Sequence, residues 1–264
     1  MENRELERRL AFAKAVALKA GDFLLSHEEL SGKVEEKASN DFVTVADKKV
    51  EKLIYDEVRA NFPLDGWYGE ESGKSGDSLR RWVVDPIDGT INYMRLRHMS
   101  AVSIGYLEGR QPVMAVVYNP YANELFYARK GRGAFLNGQP IRVSDLPYNM
   151  ALVELGTSPY DAELAKQTMA AAGRFLSECG DLRRSGSAAI DLCGVACGRA
   201  DIFFELRLRP WDVAAGALIV EEAGGRFISL GHDAPFFEAA CGMLACNAAC
   251  AADALRVLQE VTAK

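Results

Sequence analysis

The stretch that most limits what this chain can become runs from Trp82 to Tyr93. An apolar run, Trp82-Val83-Val84, breaks at Asp85-Pro86-Ile87-Asp88 and continues through Gly89-Thr90-Ile91-Asn92-Tyr93. It reads as a strand that ends in two carboxylates and then opens a helix. Pro86 fixes the turn, and Gly89-Thr90 let backbone N–H groups face an anion at a helix N-terminus. Hard oxygen ligands beside an anion cradle suit Mg²⁺. The plainer reading of the same residues is that Asp85 and Asp88 cap a turn and a helix, both common uses of Asp.

The bulk properties are compatible with such a site. With 264 residues, 49% hydrophobic and 26% charged, the chain is long enough for one large soluble domain or two halves sharing an interface. A net charge of −6, with no basic block beyond pairs such as Arg183-Arg184, argues against a nucleic-acid surface. Residues 1–26 alternate charged and apolar positions, unlike a signal peptide, and no run approaches the ~18 apolar residues of a membrane span. A cytoplasmic location is expected. The six cysteines (Cys179, Cys193, Cys197, Cys241, Cys246, Cys250) form no C-x-x-C pair. Set among Ala, Leu and Val, they read as small buried hydrophobes and not as zinc ligands.

Leu6, Leu10, Ala13, Ala17, Ala20 and Leu24 recur at helical spacing, which predicts a helix over 3–27. Thr44-x-x-Asp47 reads as a capping box opening a second helix, with Val50, Leu53, Ile54 and Val58 on one face up to Phe62-Pro63. Strand patterning then predicts a meandering sheet from 67–70, 81–85, 100–107, 112–118 and 124–129, followed by a hairpin turning at Asn137-Gly138. After about residue 150 the pattern alternates: strands at 151–156, 181–184, 200–205, 225–229 and 242–246, and helices at 161–177, 187–198, 212–223 and 249–262. Two α/β halves joined near 145–150 account for this order.

Further acidic residues gather at predicted element ends: Asp41 and Asp47, Glu70-Glu71 between Gly69 and Ser72, and Asp212 after Trp211. If they converge, each carboxylate pair ~4 Å apart repels by about 4 kcal/mol at an effective dielectric near 20, and cations are needed to hold them together. Singly, each has an ordinary reading. Asp47 completes a capping box, Glu70-Glu71 is a solvated loop pair, and Asp212 caps a helix. Only three histidines are present, His27, His98 and His232, which leaves little room for a His-dependent nucleophile. His98, after a basic stretch, reads as a surface or loop residue.

In this order and spacing the four acidic strings resemble the inositol monophosphatase family of lithium-sensitive, Mg²⁺-dependent sugar phosphatases, and the resemblance spans nearly the whole chain. One family signature resembles residues 82–93 continuing through Ser100-Ala101-Val102-Ser103-Ile104. Another is similar to Trp211-Asp212-Val213-Ala214-Ala215-Gly216, ending in Glu222-Ala223-Gly224-Gly225. Asp-x-Asp-Gly-Thr also marks phosphatases that form an aspartyl-phosphate. Here the carboxylates are three apart, which turns the first Asp away from an attacking position, and the strand lies far from the N-terminus.

The resemblance implies an α/β (α+β) fold, a layered α/β/α/β/α sandwich. An α+β half (1–147) would carry most metal ligands, and an α/β half (148–264) would carry Asp212 and the specificity segment, with the active site in the cleft between. It implies that Glu70, Asp85 and the Ile87 carbonyl bind one Mg²⁺, that Asp85, Asp88 and Asp212 bind a second, and that Glu70 and Glu71 hold a weaker third.

Asp47, Glu70 and Thr90 are the expected catalytic residues. A water activated by metal would attack phosphorus in line with the ester bond, oriented by the Thr90 hydroxyl that Asp47 polarises, with no covalent intermediate. The N–H groups of Gly89 and Thr90 would hold phosphate oxygens. Glu205, seven residues before Asp212, matches the glutamate that accepts hydrogen bonds from ring hydroxyls in members acting on inositol phosphates. Asp88, Asp212 and Gly186-Ser187-Ala188 would complete the polyol pocket. The expected substrate is myo-inositol 1-phosphate. Histidinol phosphate and fructose 1,6-bisphosphate stay open, whereas Glu205 disfavours 3′-phosphoadenosine 5′-phosphate. Arg207 and Arg209 are solvated charges, or they face a second phosphate or a partner subunit. The family implies a homodimer, with the apolar strands 100–118 either at its interface or in a monomer's core. In a different class of function, some bacterial relatives double as transcription-regulating partners independently of catalysis.

Overall fold

A computed structural model describes residues 3–38, 41–76, 79–230 and 237–262. The first helix, α1 (Asn3–Ser26), buries Ala13, Ala17, Ala20 and Leu24 along the predicted stripe. Its buried Arg9 forms a two-pronged ion pair with Asp65, 3.0 and 3.1 Å, between the rings of Phe62 and Tyr106. A short hairpin follows, β1 (Val34–Ala38) and β2 (Asp41–Thr44), which the charge-rich sequence did not announce. Thr44 then caps α2 (Val45–Asn61), with the reciprocal Thr44–Asp47 capping box in place.

The first sheet has eight strands in the order β10-β9-β8-β7-β6-β5-β3-β4. They are β3 (Gly66–Gly69), β4 (Gly73–Ser75), β5 (Arg80–Asp88), β6 (Ala101–Glu108), β7 (Gln111–Asn119), β8 (Glu124–Arg129), β9 (Ala134–Leu136) and β10 (Gln139–Ile141). From β5 to β10 each strand pairs antiparallel with the next, the expected meander, and β3 lies parallel to β5. Asn137 and Gly138 both have positive φ, 48° and 85°, as a two-residue hairpin turn demands. Between β5 and β6 lies the one-turn helix α3 (Thr90–Met94).

The second sheet, in the order β12-β11-β13-β15-β14, is built from β11 (Leu152–Leu155), β12 (Asp181–Arg183), β13 (Ile202–Leu208), β14 (Arg226–Leu230) and β15 (Cys241–Cys246). The helices between them are α4 (Ala162–Glu178), α5 (Ala188–Ala196) and α6 (Pro210–Glu222), and α7 (Ala251–Thr262) follows β15. β13 runs to Leu208, three residues past its expected end.

Three large apolar clusters, with a small fourth of Val83, Leu107 and Ala214 under α6, define five layers. α1 and α2 cover the outer face of the first sheet, α5 and α6 fill the space between the sheets, and α4 and α7 cover the far face of the second. Nearly all of α6 is buried, from Val213 through Val220, as befits a helix apolar all round. Its close approach depends on absent side chains. A Cβ on Gly105 of β6 would stand 3.0 Å from the Ala214 Cβ, and one on Gly216 would stand 2.4 Å from Leu192 Cδ1. Strands β6 and β7 are thus covered on both faces within one chain, so 101–107 and 113–118 lie in the core of the monomer while the turn at Arg110-Gln111 is exposed.

Candidate metal and phosphate site

Five elements meet at the edge of the middle layer: the end of β5, the turn into α3, and the first turns of α2, α5 and α6. The register between β5 and β6 shifts between Asp85, opposite Ser103, and Asp88, opposite Ala101. Such a bulge re-aims the strand's side chains. Pro86 contributes no N–H to the ladder, and the Ile87 N–H turns back to Asp85 Oδ1, 3.0 Å away. Asp212 arrives in the first turn of α6, where the Arg209 N–H donates to its Oδ2 at 2.6 Å. One carboxylate oxygen each from Asp85, Asp88 and Asp212 then lie within 4.8 Å of one another.

These three carboxyls are held against their ionic preference. Burial pushes the Asp85 pKa well above the ordinary Asp value, followed by repulsion from Glu70, Asp88, Asp212 and Asp47. Burial likewise raises Asp212, with Asp88 and Glu70 adding to it. Asp88 rises only to about 6, because the Ser187 hydroxyl and the Ala188 and Ala189 N–H groups oppose its burial. The Ala189 N–H donates to Asp88 Oδ2 at 2.7 Å, and the Ser187 hydroxyl donates to the same oxygen. Buried acids that repel one another, each with oxygen facing a common point, are a hard-cation donor set.

Asp47 is fully buried. Its Oδ2 accepts the Thr44 N–H at 2.7 Å, and its Oδ1 accepts the Thr90 hydroxyl at 3.2 Å. The same hydroxyl lies 3.1 Å from the Ile87 carbonyl, which keeps a second lone pair. Glu70, half-buried at the end of β3, enters through its charge on Asp85 and Asp212 and stands outside the tight cluster of three. Glu71 meets the site through its N–H, which donates to Glu51 Oε2 at 2.7 Å.

Residues 5–263 match the profile of the inositol monophosphatase family. The chain belongs to that family. It is 44% identical over 222 residues to the Nus factor SuhB of Escherichia coli K12, covering 82% of this chain and 83% of that one. It is 43% identical over 230 residues to inositol monophosphatase 2 of Solanum lycopersicum, covering 83% and 86%. The crystal structure of the extragenic suppressor protein suhB from Bartonella henselae superposes with a TM-score of 0.90 at 34% identity, over 96% of this chain and 99% of that one. The layered sandwich is therefore the family fold, and membership supports a phosphatase that works with metal.

Within that frame, a cleft of about 200 Å³ opens beside the carboxylates, lined by Glu70, Gly89, Thr90, Tyr160, Arg184 and Gly186 among others. Gly89 sits at φ 90°, and a Cβ there would stand 3.0 Å from the Met99 carbonyl and 3.2 Å from that of Gly186. Gly186 also has positive φ, 88°. Glu205 is buried on β13, and its Oε1 accepts the Ser158 N–H at 3.2 Å and hydroxyl at 3.3 Å. Burial raises it to about 7, with Ser158 and Arg184 opposing and Asp88 adding. Arg207 is exposed, 3.5 Å from Asp161, and its carbonyl accepts the Tyr160 hydroxyl. Arg209 contributes its N–H to Asp212, with its side chain exposed. His98 stacks on Tyr121 and lies 3.1 Å from Glu28, whereas His232 lies outside the described residues.

Glu51, Ser158, Tyr160 and Arg184 were not singled out by sequence reasoning. Glu51 had a signal, since it lies one helical turn after Asp47 and shares its face of α2. Its carboxylate accepts the N–H groups of both Glu71 and Ser72, and a Cβ on Gly69 would stand 2.6 Å from its Oε2. Ser158 carries no such signal, because it reaches Glu205 only through the pairing of β11 with β13.

Proposed function

We propose that the protein is a Mg²⁺-dependent phosphomonoester hydrolase of phosphorylated polyols, with myo-inositol 1-phosphate as its preferred substrate. The observation that carries this reading is the convergence of Asp85 and Asp88 on β5 with Asp212 on α6, oxygens within 4.8 Å. Their upward pKa shifts mark a donor set that ordinary side chains leave uncompensated. Glu70, Asp85 and the Ile87 carbonyl would hold one Mg²⁺, Asp85, Asp88 and Asp212 a second, and Glu70 and Glu71 a weaker third. Bound there, Mg²⁺ supplies Lewis-acid activation of the attacking water and neutralises charge on the phosphate and the departing alkoxide.

The chain's own groups do the positioning. The Thr90 hydroxyl donates to Asp47 Oδ1 and so turns a lone pair toward the water that attacks in line with the ester bond. The N–H groups of Gly89 and Thr90 hold phosphate oxygens, and Glu205, held by Ser158, accepts hydrogen bonds from substrate hydroxyls together with Asp88, Asp212 and the Gly186-Ser187-Ala188 backbone. Lithium is expected to inhibit by competing at the Asp85–Asp88–Asp212 position. A cytoplasmic homodimer accompanies the reading. No helix of the described residues is long and apolar enough to cross a membrane.

Phosphate release from inositol phosphate, histidinol phosphate, fructose 1,6-bisphosphate and 3′-phosphoadenosine 5′-phosphate, measured side by side with Mg²⁺, decides the substrate. An inositol phosphate rate far below the others refutes the preference, and loss of release in Asp85→Asn is required by the proposed ligands. The name of the Escherichia coli relative, a Nus factor, favours a second role as a transcription-regulating binding partner. A cellular phenotype that survives Asp85→Asn while hydrolysis is lost assigns the phenotype to that role.

A further inference from the structure

Asn92 of α3 is 3% exposed, and its side chain joins two parts of the molecule that are far apart in sequence. Its Nδ2 donates to the Met99 carbonyl at 2.7 Å and to the Ser185 carbonyl at 3.0 Å. Both partners accept and neither donates, which turns the carboxamide nitrogen toward them and commits both of its N–H groups. The first bond closes the loop from Gly89 to Ser100 on itself. In that loop the Ser100 hydroxyl donates to the Gly89 carbonyl at 3.0 Å, and the Arg97 N–H donates to the Asn92 carbonyl at 2.9 Å. The second bond crosses 93 positions of sequence to the turn that leads into α5.

The backbone of that turn lies against the same loop. A Cβ on Gly89 would stand 3.2 Å from both the Gly186 carbonyl oxygen and the Ser187 Cβ, and one on Gly186 would stand 3.2 Å from Asn92 Nδ2. Within the turn, Ser185 Oγ accepts the Ser187 N–H at 2.9 Å and donates to the Ser187 carbonyl at 3.1 Å, which ties 185–187 into one unit. The Ser187 hydroxyl and the Ala189 N–H then donate to Asp88 Oδ2. A continuous path of contacts thus runs from Asn92 through Ser185 and Ser187 to Asp88. Two carbonyl oxygens that meet one buried side chain need two donors on a single atom, and each left unmet carries a desolvation cost. Asn supplies both. An ionised Asp of the same shape supplies none, Ser or Thr supplies one, and Gln carries the amide one methylene farther out.

We propose that Asn92 is a positioning residue for Asp88: its two-donor clamp holds the 185–187 turn against the end of β5, so that Ser187 and Ala189 orient the Asp88 carboxylate. The clamp is a claim about how the turn is held and stands apart from the proposed hydrolase, whereas its effect on Mg²⁺ rests on that reading. Groups that orient a ligand's side chain act on metal affinity without touching the metal.

The test uses the full chain and Asn92→Leu, which keeps a branched side chain of similar size, adds no charge and removes both donors. Hydrogen exchange followed by mass spectrometry without Mg²⁺ should speed up about fivefold or more in peptides spanning 185–191, while peptides of α2 and β7 keep wild-type rates. Wild-type exchange at 185–191 in Asn92→Leu overturns the clamp, because packing alone then holds the turn, and it does so whether or not the protein hydrolyses phosphate esters. If Asn92→Leu does not fold, nuclear magnetic resonance of the wild type decides: both side-chain amide protons of Asn92 should exchange slowly, and rapid exchange of either overturns the clamp. Mg²⁺ affinity by titration calorimetry should fall roughly tenfold in Asn92→Leu. In a Ser187→Ala background the same substitution should cost less than about threefold, since part of the path to Asp88 is already cut. Unchanged affinity in the single variant, or fully additive losses in the double variant, overturns the route to Asp88. If the wild type binds no Mg²⁺, the proposed metal set fails and the exchange data alone judge the clamp.

Discussion

Glu205 ties stability to the proposed choice of substrate through one buried group. Its folded pKa of about 7 exceeds the ordinary glutamate value, so the folded state binds the proton more tightly than the unfolded chain. That contribution is complete below about pH 4 and is lost as pH rises through about 7, a swing of about 3 kcal/mol. Glu205→Gln should remove it, so that in urea titrations without Mg²⁺ the variant gains on wild type between about pH 5 and 8. The same variant should lose about tenfold or more in kcat/KM for inositol phosphate and much less for a substrate without ring hydroxyls. Gly89 makes a different kind of demand. At φ 90°, with two carbonyls within 3.2 Å of any added Cβ, Gly89→Ala should cost about 1–3 kcal/mol in thermal unfolding. It should lower kcat as well, because the amides proposed to hold phosphate shift with it.

At the scale of elements, the helix starts do the most to place chemistry. The Thr44 capping box both opens α2 and fixes Asp47, whose other oxygen takes the Thr90 hydroxyl. Thr44→Ala should cost about 1 kcal/mol of stability, and Asp47 Oδ2, left with the residue-44 N–H but without the Thr44 hydroxyl that also donates to it, should be held less firmly, reducing kcat with little change in KM, as steady-state kinetics will show. This cap was legible from Thr44-x-x-Asp47, and the β9–β10 hairpin was legible from Asn137-Gly138, because both rest on contacts a few residues apart. The β1–β2 hairpin was not, since Val34–Ala38 carries charges where an alternating pattern would place apolar residues. Strand β4, Gly73–Ser75, was equally silent: three small or charged residues are held by pairing to β3 at the sheet edge.

For the whole molecule, the middle layer is decisive. α5 and α6 come from the later half of the sequence, yet they pack against Ala101, Ala115, Val117 and Phe126 of the first sheet as well as Phe203 and Met243 of the second. A cut at the proposed boundary between residues 147 and 148 would expose one face of each sheet. The separate pieces 1–147 and 148–264 should each lack cooperative thermal unfolding by circular dichroism, and mixing them should restore it only as a complex. The sequence by itself determined the types and order of the principal helices and strands, the turn at Asp85-Pro86-Ile87-Asp88 and the acidic residues that could meet a metal, because period, caps and turn chemistry act locally. Only the tertiary structure decided that Asp212 lies beside Asp88, that Glu51 accepts the N–H groups of Glu71 and Ser72, and that Ser158 holds Glu205. Those contacts are made by layers stacking, and no spacing along the chain encodes which buried face meets which.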